Sequence, residues 1–428
     1  MRLFGKKSKT FVLGIDGVPY SFLMNKFGEG KLPHLSKLVK DHGAKRMNSV
    51  YPTVSSVAWT SYMTGENPAE HNIFGFVDRI PHPFSITIPT ARDRKGISLW
   101  KHLSDQGRRV IVINVPLTYP PEEVNGILVG CFLCTDIDKS SYPPDFSNYL
   151  KSRDYIIDVD AWLARQSPRK FMDELHGAME KRFEIAFELM EAEKWDFFQL
   201  HIMETDRLFH FFFRDVENEG SFSPDIQTFF SRLDDHIGQL SDRLTKHDRL
   251  LILSDHGFCG IKAEVQLNKW LEEQGLLSIE PGMEKDLVNY DKSSTCYSLL
   301  PGRIYINLEG REEKGSVAKE DYQKTCQDIR ERLLNFIHPA SGKKIIDRVF
   351  FREEIYQGPY IESSADLIVH PKDGYDLKGR LEAREIFDHS ALNGMHTYHD
   401  AFICGKNIDI SPVENIQDVY SVVMRAVK

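Results

Sequence analysis

Residues 249–257 read Arg249-Leu250-Leu251-Ile252-Leu253-Ser254-Asp255-His256-Gly257, and their order of residue types decides the fold. A short unbroken apolar run is the pattern of a strand covered on both faces, as in the middle of a parallel sheet. It stops abruptly at an acid and an imidazole. In parallel α/β sheets, ligands bind beyond the carboxyl ends of the strands, so polar side chains placed there are placed to act. The same arrangement occurs twice more. Phe11-Val12-Leu13-Gly14-Ile15 runs into Asp16-Gly17, and the run from Trp195 to Ile202 is followed, after a short turn, by Asp206 and His210.

Between these strands lie helical patterns. Leu35, Leu38 and Val39 share one helical face behind Pro33, and residues 56–63 run as a helix into Thr64-Gly65. Behind Ser167-Pro168, residues Met172, Leu175, Met179, Phe183, Ala186 and Met190 recur at three- and four-residue steps; Ser167 is placed to cap this helix. A second amphipathic helix covers residues 226–244. Residues 49–53 and 109–115 read as further strands. Alternating strands and helices predict an α/β fold around a mainly parallel sheet. From 259 to 358 the pattern changes to short helices, aromatics and polar loops. The expected division is therefore a core of residues 1–258 and 359–428 with an inserted cap at 259–358. The parallel sheet is expected to resume at 365–369 and to close at 399–403.

Composition bounds what such a chain does. With 428 residues, 41% hydrophobic and 27% charged, it has the make-up of a folded protein of two or three domains or one large elaborated domain. The net charge of −9 and the lack of a basic stripe argue against a nucleic-acid polymer as partner. No 18-residue apolar window predicts a membrane span, and the start MRLFGKKSKT lacks the long apolar stretch of a signal peptide. Six scattered cysteines read as reduced thiols and place the protein in the cytoplasm. Cys131 and Cys134 form a lone CxxC with no second pair, which disfavours a zinc or redox role.

Asp206 and His210 stand four residues apart, which on a helix turns both toward one ion. Asp255 and His256 are adjacent past a strand end, where Gly257 would permit a sharp change of direction. Each signal has an ordinary reading: a lone Asp caps helices or forms turns, and Asp-His pairs are common. Their shared position at strand ends gives them weight together. Mixed Asp and His donors suit zinc, or manganese, better than calcium or magnesium. Two such ions about 4 Å apart can clamp the attacking and leaving oxygens of an in-line displacement. The segment Tyr51-Pro52-Thr53-Val54-Ser55-Ser56 offers hydroxyls at a helix start, where backbone N–H groups favour a phosphoryl group. Read by residue type alone, Thr53, Ser55 and Ser56 are rivals, and the two serines are also ordinary helix caps.

The blocks GIDG (14–17), LPHLSKL (32–38), VAWTSYMTGENPAEHNIFGF (57–76), VINVPLTYPPEEVNGILVG (112–130), SDHGF (254–258) and GMH (394–396) resemble the alkaline phosphatase superfamily, specifically its type I phosphodiesterase and nucleotide pyrophosphatase branch. Within that branch the chain is most similar to predicted phosphohydrolases or phosphomutases. The resemblance implies a three-layer sandwich and a hydrolase of phosphate mono- or diesters of small molecules, working through a phosphoserine. The family's nucleophile stands ten residues before the Gly of its Thr-Gly pair, which points to Ser55. By the same carry-over Asp16, Asp255, His256 and Ser55 hold one metal ion, and Asp206, His210 and His396 the other. His71 would have a supporting role, and His389 and His399 rank below His396. There are departures: Ala58 stands where many relatives carry an asparagine, and Thr397 follows the GxH motif in place of glycine. Trp59, Trp270 and Tyr398 are candidates to stack on a substrate ring, with core packing as the plainer role. The competing functions are a phosphomutase, and a metal-free binding protein that keeps the fold.

Overall fold

The computed structural model describes residues 8–427; the leader reading for residues 1–7 lies outside them. The central sheet has eight strands in the order Ala44–Met47, Ala401–Lys406, Arg249–Leu253, Thr10–Ile15, Phe197–Ile202, Val110–Ile113, Gly126–Val129 and Ser141–Tyr142. The five from Arg249–Leu253 to Gly126–Val129 are parallel, and the strands at either margin are antiparallel. Leu13 lies opposite both Leu200 and Ile252, so the three strands that precede the acidic residues end level with one another.

The apolar runs explain this core. All six residues of Thr10–Ile15 and of Phe197–Ile202 are buried. Phe11, Leu13 and Ile15 pack toward the helices Pro33–His42, Pro168–Ala192, Glu204–Asn218 and Ser223–Arg243. Val12, on the other face, packs toward Ser55–Thr64, Leu99–Asp105 and Asp418–Ala426. Two-sided burial is what a strand without polar alternation requires. The periodic positions 172, 175, 179, 183, 186 and 190 are all buried. Ser167, however, makes no side-chain cap on that helix.

Three sequence expectations are corrected. Residues 49–53 are a loop; the strand here is Ala44–Met47, and Pro52 has no N–H to offer a ladder. The apolar run at 365–369 does not return to the parallel sheet. It forms Leu367–Pro371, paired antiparallel on both sides with Arg303–Ile306 and Ile346–Phe351 in a separate four-stranded sheet. A central strand of a covered antiparallel sheet is as uniformly apolar as a parallel one, so the run alone cannot tell them apart. The closing strand, Ala401–Lys406, enters the main sheet antiparallel.

A second apolar core gathers Trp270, Tyr297, Tyr305, Ile329 and Leu367, and extends to Leu381. It is joined to the main body by a two-stranded ladder, Gly257–Gly260 with Gly394–Thr397, in which Phe258 faces His396. Gly257 has no left-handed backbone. A Cβ there would meet Thr397 Oγ1 at 2.6 Å, so the residue serves close approach of this ladder rather than a reversal of direction.

Candidate metal and phosphoryl site

Asp16, the first residue beyond its strand, is fully buried. Its Oδ1 accepts from Ser55 Oγ at 3.2 Å, and its Oδ2 accepts from Trp59 Nε1 at 3.0 Å. Ser55 Oγ is also 3.2 Å from His256 Nε2. Ser55 opens the helix Ser55–Thr64 behind the extended Val54. The rival hydroxyl of Thr53 donates to the Val50 carbonyl at 2.9 Å. Asp255 Oδ1 accepts from Gly17 N–H at 3.1 Å, while its buried Oδ2 has no hydrogen-bond donor and lies 3.3 Å from His256 Nε2.

Asp206 and His210 lie on the helix Glu204–Asn218, and the ladder brings His396 against them. His396 Nε2 is 3.1 Å from Asp206 Oδ1 and 3.0 Å from His210 Nε2. The Nδ1 atoms of His210, His256 and His396 lie 3.1 Å from the carbonyls of Gly394, Gly257 and Thr53 respectively. A carbonyl only accepts, so each Nδ1 carries a proton, and each ring offers a lone pair at Nε2 when it is neutral. Three acceptor nitrogens therefore converge with the carboxylates of Asp16, Asp206 and Asp255. That arrangement repels unless cations lie within it, and backbone-held imidazoles are how metal-binding histidines are oriented. Ligand atoms of Asp16, Asp255 and His256 fall within 4.8 Å of one another, as do those of Asp206, His256 and His396, so His256 is the wall shared by two groups.

The electrostatics have the same origin. Burial, with the charge of His396, lowers His256 to about 3; burial also lowers His210, to about 4. Burial opposes the charge of His396, but the bond to Asp206 outweighs it and raises this pKa. Burial likewise works against charge on Asp206, yet His210 and His396 hold it well below the usual carboxylate range. Burial, and then repulsion from Asp16, push Asp255 up.

Some of the site was not foreseen. His201 Nε2 lies 2.9 Å from Asp16 Oδ2, though not in hydrogen-bond geometry. Its ring meets Trp59 edge to face at 4.6 Å. A Cβ at Gly14 would lie 2.7 Å from His201 and 2.8 Å from Trp59, so the glycine makes room for both behind Asp16. The one sequence signal was a histidine inside a buried strand. Thr205 Oγ1 donates to the Asp16 carbonyl at 2.7 Å. Arg207 pairs with Asp158 at 2.8 Å and stands 3.6 Å from Asp206.

The ring-stacking candidates fare differently. Trp59 is fully buried with its N–H on Asp16, and Trp270 stacks on Phe336 in the second core; neither face is open to a substrate. Tyr398 stacks on Tyr51 with centroids 4.1 Å apart. His71 is buried 10 residues along from its partner Ser61. His389 and His399 stay away from the cluster: His399 faces Asn48, and His389 is exposed beside Asp388. Cys131 and Cys134 take no part in either metal-ligand group.

A family model described as type I phosphodiesterase / nucleotide pyrophosphatase matches residues 10–399. The chain belongs to this family. Among curated members, a venom phosphodiesterase of Crotalus durissus collilineatus is 26% identical over 270 residues, 59% of this chain and 26% of the relative. Venom phosphodiesterase 2 of Crotalus adamanteus is 26% identical over the same length. The chain thus spans about a quarter of the length of the curated relatives it matches. Among solved structures, phosphonoacetate hydrolase from Sinorhizobium meliloti 1021 superposes with a TM-score of 0.68 at 15% identity, covering 99% of this chain and 96% of that one. Murine ectonucleotide pyrophosphatase / phosphodiesterase 5 superposes with a TM-score of 0.57 at 13% identity, covering 98% and 95%. These likenesses establish the three-layer fold around the mainly parallel sheet. Among the described residues no helix is long and apolar enough to cross a membrane.

Proposed function

We propose that the chain is a two-metal phosphohydrolase acting on phosphate mono- or diesters of small molecules through a phosphoserine on Ser55. The observation that carries this reading is the meeting of three acceptor nitrogens with three carboxylates beside a hydroxyl at a helix start. Asp16, Ser55, Asp255 and His256 would hold one divalent ion and Asp206, His210 and His396 the other. Zinc matches the mixed donor set best, with manganese second. When bound, such a pair supplies Lewis-acid charge and favours the ionised form of a hydroxyl or a water.

The rest falls to the side chains and backbone. Asp16 and His256 both offer acceptors to the Ser55 proton. The N–H groups of Ser55 and Ser56 find no acceptor among the described residues, and a helix N-terminus draws phosphoryl oxygens toward such groups. Ser55 Oγ bonds to phosphorus as the P–O bond to the alcohol breaks, and the alcohol departs with a proton from water. A water then adds to phosphorus, phosphate leaves, and Ser55 regains its hydroxyl. We assign substrate selection to the cap at 259–358 together with the strands Leu367–Pro371 and Tyr375–Lys378, which share its core. Six free cysteines, five of them buried, favour the reducing cytoplasm.

Purified protein should contain two equivalents of transition metal and hydrolyse p-nitrophenyl phosphate or bis-p-nitrophenyl phosphate. Ser55→Ala should stop turnover while both metals stay bound. Full activity in that variant would remove Ser55 as nucleophile.

A further inference from the structure

A cavity of about 410 Å³ opens directly on the site, with Thr53, His210 and His396 at its floor. Its walls are apolar: Phe76, Leu300, Ile368, Val369, Leu377 and Leu392 line it. Phe76 and Leu300 remain 37% and 40% exposed and offer apolar surface to the cavity. Four of the six wall residues come from the second core or the loop beside it, so this body forms one side of the space into which a group on phosphorus would extend.

The charged groups around the cavity are largely engaged. Arg207 is held by Asp158 at 2.8 Å, and Lys378 by Asp376 at 2.7 Å. Arg165 has no carboxylate partner among the described residues, but its guanidinium lies over Trp162 and Phe211. Asp373 adds a carboxylate to the wall. A leaving group carrying further phosphates or carboxylates would meet one uncommitted cation and an opposing anion. A flat base would find Tyr51 already stacked on Tyr398. An uncharged hydrocarbon group would gain contact along the apolar part of the wall.

We propose that the cavity receives the alcohol half of the substrate, and that this half is apolar and uncharged. The substrates are then phosphate esters of hydrophobic alcohols rather than nucleotides. This rests on the phosphohydrolase reading above, because the phosphoryl group must sit at His210 and His396 for its alcohol to occupy the cavity.

The test is binding of n-alkylphosphonates to the metal-loaded protein by calorimetry, with turnover of p-nitrophenyl esters followed separately. Burial of a methylene strengthens binding about fourfold. The dissociation constant should therefore fall on the order of a hundredfold from ethyl- to hexylphosphonate, and adenosine 5′-monophosphate should bind no better than the ethyl compound. Leu300→Asp should reduce the hexyl-to-ethyl ratio at least tenfold. The wild-type series decides the matter even if that variant misfolds. A series flat in chain length, or tighter binding of the nucleotide than of hexylphosphonate, overturns the proposal. An absence of turnover on every p-nitrophenyl ester, with the chain-length trend intact, would instead strike the hydrolase reading, and with it the alcohol half, leaving the cavity as an apolar site beside a phosphonate-binding centre.

Discussion

Trp59 stands one helical turn after Ser55, so a single helix carries both the hydroxyl and the N–H that holds the far oxygen of Asp16. With Oδ2 engaged, only Oδ1 is free to face Ser55 and His256. Trp59→Phe keeps an aromatic ring, though a smaller one, and removes that N–H. Groups that orient a metal ligand are worth about 10- to 100-fold in metal affinity or activity, and a loss of that size in zinc affinity is expected here, measured by competition with a chelating dye. An unchanged affinity would show that His201 and the backbone suffice. His71 illustrates a different use of a buried imidazole. Ile73 N–H donates to its Nδ1, so its proton sits on Nε2 and is given to Ser61 Oγ. Burial, and then Arg94, lower its pKa to about 3. The unfolded chain therefore binds the extra proton between pH 6.5 and 3. The contribution of His71 to stability is full above pH 6.5 and declines as pH falls through that window, by up to about 2 kcal/mol between pH 7 and 5. His71→Asn should be less stable at pH 7 but lose less on acidification, as read from urea unfolding at the two pH values. Residue type and position made Asp16, Asp206 and Asp255 legible, because each follows a strand. Nothing comparable marks His201, since a histidine within an apolar strand carries no spacing that points at an acid on the neighbouring strand.

The helix Glu204–Asn218 holds two of the proposed ligands, and its first turn is fastened from both sides. Thr205 ties it to the Asp16 carbonyl, and the buried Glu204 accepts from Arg182 at 2.8 Å. Arg182 also donates to Tyr155 OH at 2.6 Å and to the Ile157 carbonyl at 3.0 Å. Removing one partner of a buried ion pair costs about 3–5 kcal/mol, because a charge is stranded. Arg182→Met should therefore lower stability by that amount in urea unfolding, and Arg182→Met with Glu204→Gln should recover part of it. A double variant no more stable than the single would show that the other two bonds matter more. At this scale the strand–ligand–helix order could be read directly from apolar periodicity. The ladder that delivers His396 could not: a four-residue strand is too short to show periodicity, and its partner lies more than a hundred residues away. The run at 365–369, expected in the parallel sheet, lies in another for the complementary reason, since two-sided burial looks the same in either setting.

Across the molecule, the proposed ligands are contributed by positions from Asp16 to His396, so the ions would bridge segments that the unfolded chain keeps far apart. Ligands that bind only the folded state stabilise it by mass action, about 2.7 kcal/mol at a hundredfold excess over the dissociation constant. Exhaustive chelation should lower the melting temperature by several degrees, and zinc should restore it; an unaltered melting temperature with demonstrably stripped metal would count against a bridging role.

Gly260 faces Gly394 across the connecting ladder. Seen from the main sheet, everything between them is a single excursion that departs and returns through neighbouring strands. Its path leaves the segments that bear His256 and His396 uninterrupted, while Ala69, Phe74 and Arg79 reach into it from the main body. Under the proposed division of labour, selectivity would change within this excursion while the proposed ligands stay where they are.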